Sequence, residues 1–166
     1  MTAFQIELMT SPAQIDAVLA IEEASFTNPW TREMYRAELD NRGVSYCYLA
    51  KDAAGETVGF CSFWRVLDEL HINNLAVVPG RRRAGVATAL LEHAIRQGAA
   101  QGATRATLEV RRSNTAARLL YERFGFTVST VRHAYYSKPV EDALVLWCER
   151  LNGDLSHERR HAGCCP

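Results

Sequence analysis

Apolar residues recur along this chain in two rhythms, and the switches between them mark out its elements. Alternation over Phe4–Met9 predicts a first strand. Ser11-Pro12 then reads as a helix start, Ser as the cap and Pro in the first turn, with Ile15, Val18, Leu19 and Glu22 following at helical spacing. That helix gives way at Phe26-Thr27-Asn28-Pro29-Trp30. A second begins after Thr31, carries Met34, Tyr35 and Leu39 on one side, and ends at Asn41-Arg42-Gly43. Ser45–Lys51 and Thr57–Val66 predict an antiparallel hairpin across Ala54-Gly55, and a turn at Asp68-Glu69 leads into a strand over Leu70–Val78. A long helix follows from Ala84 to Gln101, with Val86, Leu90 and Ala94 at helical spacing and Leu91 and Ile95 beside them. Thr104–Arg111 alternates again: Ala106, Leu108 and Val110 point one way, Thr107 and Glu109 the other. Ser113-Asn114 caps a last helix whose predicted buried stripe is Ala116, Leu119, Leu120 and Phe124, stopped by Gly125. Phe126–Tyr136 and Ala143–Glu149 complete the strands, joined through Ser137-Lys138-Pro139. The order β-α-α-β-β-β-α-β-α-β-β predicts an α/β fold, a central mixed sheet with helices on both faces.

Length and composition narrow the function classes. The chain has 166 residues, 48% of them hydrophobic, enough for one domain with a real core and too few for two ordinary ones. Residues 1–151 read as that single domain, and 152–166 as a polar, disordered tail. Lys+Arg and Asp+Glu are equal at 19 each, so no global field draws the chain to nucleic acid or to a membrane. No apolar run approaches membrane-spanning length and Met1–Thr10 lacks a signal-peptide pattern, which makes the cytoplasm the expected location. Cys47, Cys61 and Cys148 lie singly in apolar strand-like segments, as buried free thiols do. Cys164-Cys165 follow His157 and His161, but the spacing is wrong for a zinc module, and no metal is expected. The sequence carries no mark of an oligomeric state.

The most informative stretch runs from Leu75 to Leu91. A strand end, the break Pro79-Gly80, three consecutive arginines and a helix start follow one another. The pattern Arg-x-x-Gly-x-Ala (Arg82, Gly85, Ala87) puts small residues where the backbone enters the helix, so an anion can approach the free N–H groups of the first turn. The helix dipole favours a pyrophosphate there and the neighbouring arginines add charge. The same residues also fit a plain strand–helix junction with a solvated arginine run. There is no Gly-Lys-Ser/Thr and no G-x-G-x-x-G turn, so the usual nucleotide loops are excluded.

Leu75-Ala76-Val77 followed by Arg-x-x-Gly-x-Ala resembles the acetyl-CoA-binding motif of the GNAT superfamily of N-acetyltransferases. The resemblance implies that acetyl-CoA lays its acetyl and pantetheine arm on the backbone of Leu75, Ala76 and Val77. Its pyrophosphate would lie on Arg82, Arg83, Ala84, Gly85, Val86, Ala87 and Thr88. Ala87 stands where many members have glycine.

From about Ala24 to Trp147 the chain resembles one branch, the bacterial enzymes that acetylate the N-terminal alanine of small-subunit ribosomal protein eighteen. Its marks are Phe26-Thr27-Asn28-Pro29-Trp30, Asn74-Leu75-Ala76-Val77, Leu108-Glu109-Val110-Arg111 with Ser113-Asn114, and Leu120-Tyr121-Glu122 with Phe124-Gly125-Phe126. Tyr135-Tyr136 followed by Glu141-Asp142-Ala143 completes them. The resemblance implies Glu109 as proton acceptor, Tyr121 as proton donor and Asn114 as a cofactor contact. Without it, Glu109 also reads as an exposed strand carboxylate and Tyr121 as an aromatic at the core's rim. In this fold Trp30, Tyr135 and Tyr136 would flank the acetyl end, and Glu69 or Asp68 could meet charged groups of the acceptor. The implied partner is the N-terminus of a ribosomal protein. Two other readings stay open: a lysine or small-amine acetyltransferase on the same fold, and a non-catalytic module whose basic loop holds a phosphorylated ligand or RNA. Neutral net charge argues against the nucleic-acid version.

Overall fold

Seven strands and four helices follow in the predicted order. The computed structural model describes residues 4–151, so the tail expected at 152–166 lies outside the described residues. The elements are β1 (Gln5–Leu8), α1 (Ile15–Ser25), α2 (Arg32–Asp40), β2 (Ser45–Lys51), β3 (Thr57–Val66), β4 (Glu69–Val77), α3 (Val86–Ala100), β5 (Arg105–Arg111), α4 (Thr115–Arg123), β6 (Thr127–Tyr136) and β7 (Glu141–Cys148). They form one mixed sheet in the order β1-β2-β3-β4-β5-β7-β6, in which only β4 and β5 run parallel.

Local chemistry sets the helix starts. Ser11 and Gln14 form a reciprocal capping box ahead of α1, and the Thr31 hydroxyl accepts from the Met34 N–H at the start of α2. Gly98 of α3 packs on the Leu70 side chain of β4: an added Cβ would stand 2.8 Å from Leu70 Cδ1, so a larger residue there would require Leu70 to shift. One core lies between the sheet and α3 and α4, including Phe63, Leu70, Leu90, Leu108, Tyr121 and Leu146. A second lies on the opposite face, where Ile15, Val18, Ile21 and Tyr35 cover Leu49, Phe60 and Ala76. Helices therefore cover both faces, as expected. On the α1–α2 side, however, they pack on β2, β3 and β4, and the matching face of β5, β7 and β6 stays partly exposed.

Two features of β4 open the sheet at its centre. Opposite β3 the register jumps from Phe63↔Ile72 to Ser62↔Asn74, so Asn73 is an extra, bulged residue. The bulge swaps the faces: Leu70 and Ile72 belong to the α3 core, whereas Asn74 and Ala76 point toward α1 and α2. The parallel pairing with β5 runs from Glu69↔Arg105 to Ile72↔Leu108 and stops at this bulge. Beyond it β4 stays with β3 as far as Val77, while β5 stays with β7 as far as Arg111. The two central strands part into a wedge that opens at their C-terminal ends.

The buried stripe of α4 differs from the sequence expectation. Leu119 is 56% exposed and Ala116 is exposed too, while Tyr121 is buried, with Ala117, Leu120 and Phe124 packed against the same core. The helix is rotated by about one residue from the predicted phase, because Tyr121 provides more apolar area than Leu119 and takes the inward position. Cys47, Cys61 and Cys148 are buried free thiols, as read from their surroundings.

Candidate active site

The basic loop leaves β4 through a short turn at Pro79–Arg81. Arg83 and Gly85 then take left-handed backbone conformations (φ 66° and 82°), and α3 starts at Val86, two residues later than the pattern suggested. Gly85 offers no side chain to cap the helix, and the first helical bond closes from Ala89 N–H to the Gly85 carbonyl. The N–H groups of Val86, Ala87 and Thr88 are thus free to receive an anion, with the helix dipole behind them.

The three arginines do not act alike. Arg81 pairs with Asp52 at 2.8 Å. Arg82 donates from Nε to the Val77 carbonyl (3.0 Å) and from its guanidinium to Ser25 Oγ (3.4 Å), tying the end of β4 to the end of α1. Arg83 makes no such side-chain contact among the described residues. A further cation, which no motif in the sequence announced, comes from the last turn of α4, where Arg123 donates to Thr88 Oγ1 at 3.2 Å. Asn114 is the cap of α4, its side-chain oxygen accepting from Ala117 N–H at 3.2 Å. Its predicted cofactor contact and its capping role fall to the same side chain.

Across the wedge stands Glu109, on the open face of β5 with about a third of its side chain exposed. Arg132 on β6 donates to Oε1 at 2.5 Å, and its guanidinium lies 5.1 Å from the centroid of Tyr135. The Tyr135 phenol is raised above its ordinary pKa, first by its hydrogen bond to Glu109 and then by burial. Tyr136, edge-on to Tyr135 at 5.1 Å, is pushed up to about 12 by burial and by the Glu109 charge. The sequence candidates Glu109, Tyr135 and Tyr136 therefore share one site, and Arg132 joins them unforeseen.

Tyr121 reaches toward the same region from the opposite side of the sheet. It is 7% exposed, packed edge-on to Phe126 at 5.9 Å. Burial holds its phenol well above the usual range, and Cys61 and Tyr136 push the same way. Its proton is therefore firmly held unless a stronger base arrives.

Trp30 closes the α1–α2 side. Its ring tilts against Tyr35 at 5.4 Å and its backbone N–H donates to Glu22 Oε1 at 2.9 Å. Glu22, fully buried, also accepts from Tyr35 Oη (2.9 Å) and from Asn74 Nδ2 (2.8 and 3.0 Å). This network pins the segment after the β4 bulge to α1, α2 and the loop between them. Glu69 stands apart from Glu109, at the other end of the same face. It bonds His71 at 2.7 Å and Arg105 at 2.6 Å. Arg105 and Glu109 are four positions apart along β5, roughly 13 Å.

Similarity to known proteins agrees with this geometry. Residues 15–126 match the acetyltransferase (GNAT) family. The [ribosomal protein bS18]-alanine N-acetyltransferase of Haemophilus ducreyi is 37% identical over 119 residues, 72% of this chain and 80% of that protein. The protein of the same name from Escherichia coli K12 is 35% identical over 134 residues, 80% of this chain and 88% of its own length. The crystal structure of the Escherichia coli ribosomal-protein-S18-alanine N-acetyltransferase superposes with a TM-score of 0.81 at 29% identity, covering 93% of this chain and 99% of that one. A basic loop running into an uncapped helix start, a wedge between parallel strands and a match over most of the chain agree with one assignment: this chain belongs to the acetyltransferase (GNAT) family.

Proposed function

We propose that this chain transfers the acetyl group of acetyl-CoA to the α-amine of an N-terminal alanine, that of small-subunit ribosomal protein eighteen. The observation that carries the reading is the wedge. Where β4 and β5 part, the two faces of the sheet communicate, with Glu109 on one and Tyr121 on the other. A donor lying on the α3–α4 side and an acceptor on the α1–α2 side would meet there, each beside the group that handles its proton.

The residues present fit acetyl-CoA. The uncapped first turn of α3, Arg83 and Arg123 suit its pyrophosphate. The edge of β4 from Asn74 to Val77, unpaired on the β5 side, offers backbone groups to the pantetheine amides. The thioester supplies an acetyl group already activated for transfer. Glu109 accepts the proton that the attacking amine loses, directly or through one water. Tyr121 Oη donates its proton to the departing thiolate, burial keeping the phenol protonated until then. Arg132 and Tyr135 fix the Glu109 carboxylate.

An α-amine suits one modest base. Its reference pKa is about 7.7–8.0, against about 10.4 for lysine, so far more of it is neutral near pH 7. The reading implies a cytoplasmic enzyme with a ribosomal-protein substrate. The test is the initial rate on three peptides: one with a free N-terminal alanine, the same peptide N-terminally blocked, and a blocked peptide containing lysine. The free-alanine peptide is expected to react fastest by far. Equal rates on the blocked lysine peptide would make the chain a lysine acetyltransferase on the same fold.

A further inference from the structure

Arg111 closes the strand that carries Glu109, and its side chain points to the same face, two residues or roughly 7 Å further on. From there its guanidinium donates to groups on two segments distant in sequence. One nitrogen donates to Thr27 Oγ1 at 3.0 Å, in the loop between α1 and α2, and to the Ser137 carbonyl at 3.3 Å, in the β6–β7 turn. The other donates to the Pro139 carbonyl at 3.1 Å. The guanidinium lies 4.3 Å from the centroid of Tyr136 and its nearer nitrogen is 3.8 Å from Glu141. A second link joins the two segments directly, Asn28 Nδ2 donating to the Ser137 carbonyl at 2.7 Å. Thr27, Arg111, Ser137 and Asn28 thus form a closed bridge beside the proposed base.

Several features make this more than a surface tether. Three acceptors and one ring surround a planar fork, a geometry that only arginine matches. The Arg111 side chain is largely covered, at 21% relative exposure, while its partners Thr27, Ser137 and Pro139 lie at the exposed rim. Neither loop has regular secondary structure of its own to hold its position. Without the bridge, each is free to drift from the amine's approach.

We infer that Arg111 is a positioning residue that staples the α1–α2 loop to the β6–β7 turn and so sets the width of the acceptor entrance beside Glu109. The inference rests on the α-amine reading for its kinetic consequence, though not for the staple itself. A narrow entrance admits a chain terminus with a short side chain and hinders a lysine brought in on a continuous peptide backbone. Arg111 touches neither reacting atom in this role; it acts by holding the two walls at a fixed distance.

The experiment compares wild type, Arg111→Met, Arg111→Lys and Thr27→Val, using acetyl-CoA, the free-alanine peptide and the blocked lysine peptide. In Arg111→Met the peptide KM should rise about tenfold, the size of one charge-assisted hydrogen bond, while the KM for acetyl-CoA stays within about twofold. The rate on the lysine peptide relative to the alanine peptide should rise. Arg111→Lys should not restore either property, because a single ammonium cannot span both loops and stack on Tyr136. Hydrogen exchange should quicken at Thr27–Asn28 and at the β6–β7 turn together. Thr27→Val, which removes one acceptor and keeps the fold, should show the same pattern at smaller amplitude, and it decides the matter if Arg111→Met folds poorly. Unchanged peptide KM and selectivity in the folded variants, full rescue by lysine, or faster exchange in only one loop would overturn the inference. If wild type itself shows no preference for the α-amine, the functional reading fails, while the exchange measurement still decides whether the staple exists.

Discussion

Two glutamates serve the same face of the sheet and have opposite fates. Glu22 lies beneath α1 and α2, with no exposure and hydrogen bonds from Trp30 N–H, Tyr35 Oη and Asn74 Nδ2 on its two oxygens. Glu109 lies on the half of the face the helices leave open, about a third exposed, held on one side by Arg132 and Tyr135. A carboxyl group whose lone pairs are occupied and whose surroundings exclude water serves as a fixed anchor. One that keeps solvent access and part of its accepting capacity can exchange a proton with a substrate. The difference follows from where the helices lie: α1 and α2 cover β2, β3 and β4, and nothing comparable among the described residues covers β5, β7 and β6 on that side.

The contrast predicts where loss of a carboxyl group will register. Glu109→Gln should lower turnover by about two to four orders of magnitude, the range for a lost general base, with the melting temperature little changed. A variant that unfolds, or one that works normally, would erase the distinction between anchor and base. Glu22→Ala should do the reverse and unfold at much lower denaturant. It strands several buried donors, each costing about 1–3 kcal/mol. Chemical denaturation reads this directly, and a loss under about 1 kcal/mol would mean that the network is slack.

Tyr121→Phe sharpens the comparison from the opposite face. It keeps the packing on Phe126 and removes only the phenol oxygen, so stability should hold while the transfer step slows by about ten- to a hundredfold. Equal activity would reduce Tyr121 to core. The smallest effect belongs to Leu119→Ser. With more than half of Leu119 exposed, stability should change by no more than about 0.5 kcal/mol, and a larger loss would restore the helix phase read from sequence.

The strands and helices were legible because each carries a long enough run of one period. The loop from Pro79 to Gly85 was legible because Pro79-Gly80 breaks the strand and Gly85 stands just before an apolar helix. The phase of α4 was not, since nine residues with Leu119, Leu120 and Tyr121 in succession fit two adjacent stripes equally well. Asn73-Asn74 in mid-strand was a signal passed over: paired asparagines are poor strand formers, and here they mark the bulge that ends the parallel pairing. Arg111, Arg132 and Glu22 act through partners up to 84 residues away, as Arg111 does with Thr27, and no local pattern encodes such a contact. For the same reason the tie that Arg82 makes between Val77 and Ser25 was not legible, whereas its place in the basic loop was.

The most direct test of the central claim, that Glu109 takes the proton from an α-amine, is the ratio of wild-type to Glu109→Gln kcat/KM as a function of pH, measured with the free-alanine peptide. Without a base the variant must wait for amine that is already neutral, so its rate should climb with pH until the amine's pKa, about 7.7–8.0. Wild type removes that proton on the enzyme and should depend less on pH over the same range. The predicted ratio is therefore large near pH 6, shrinks toward about pH 8 and levels off above it. A ratio that stays constant across that range would show that Glu109 shapes the site without accepting the proton.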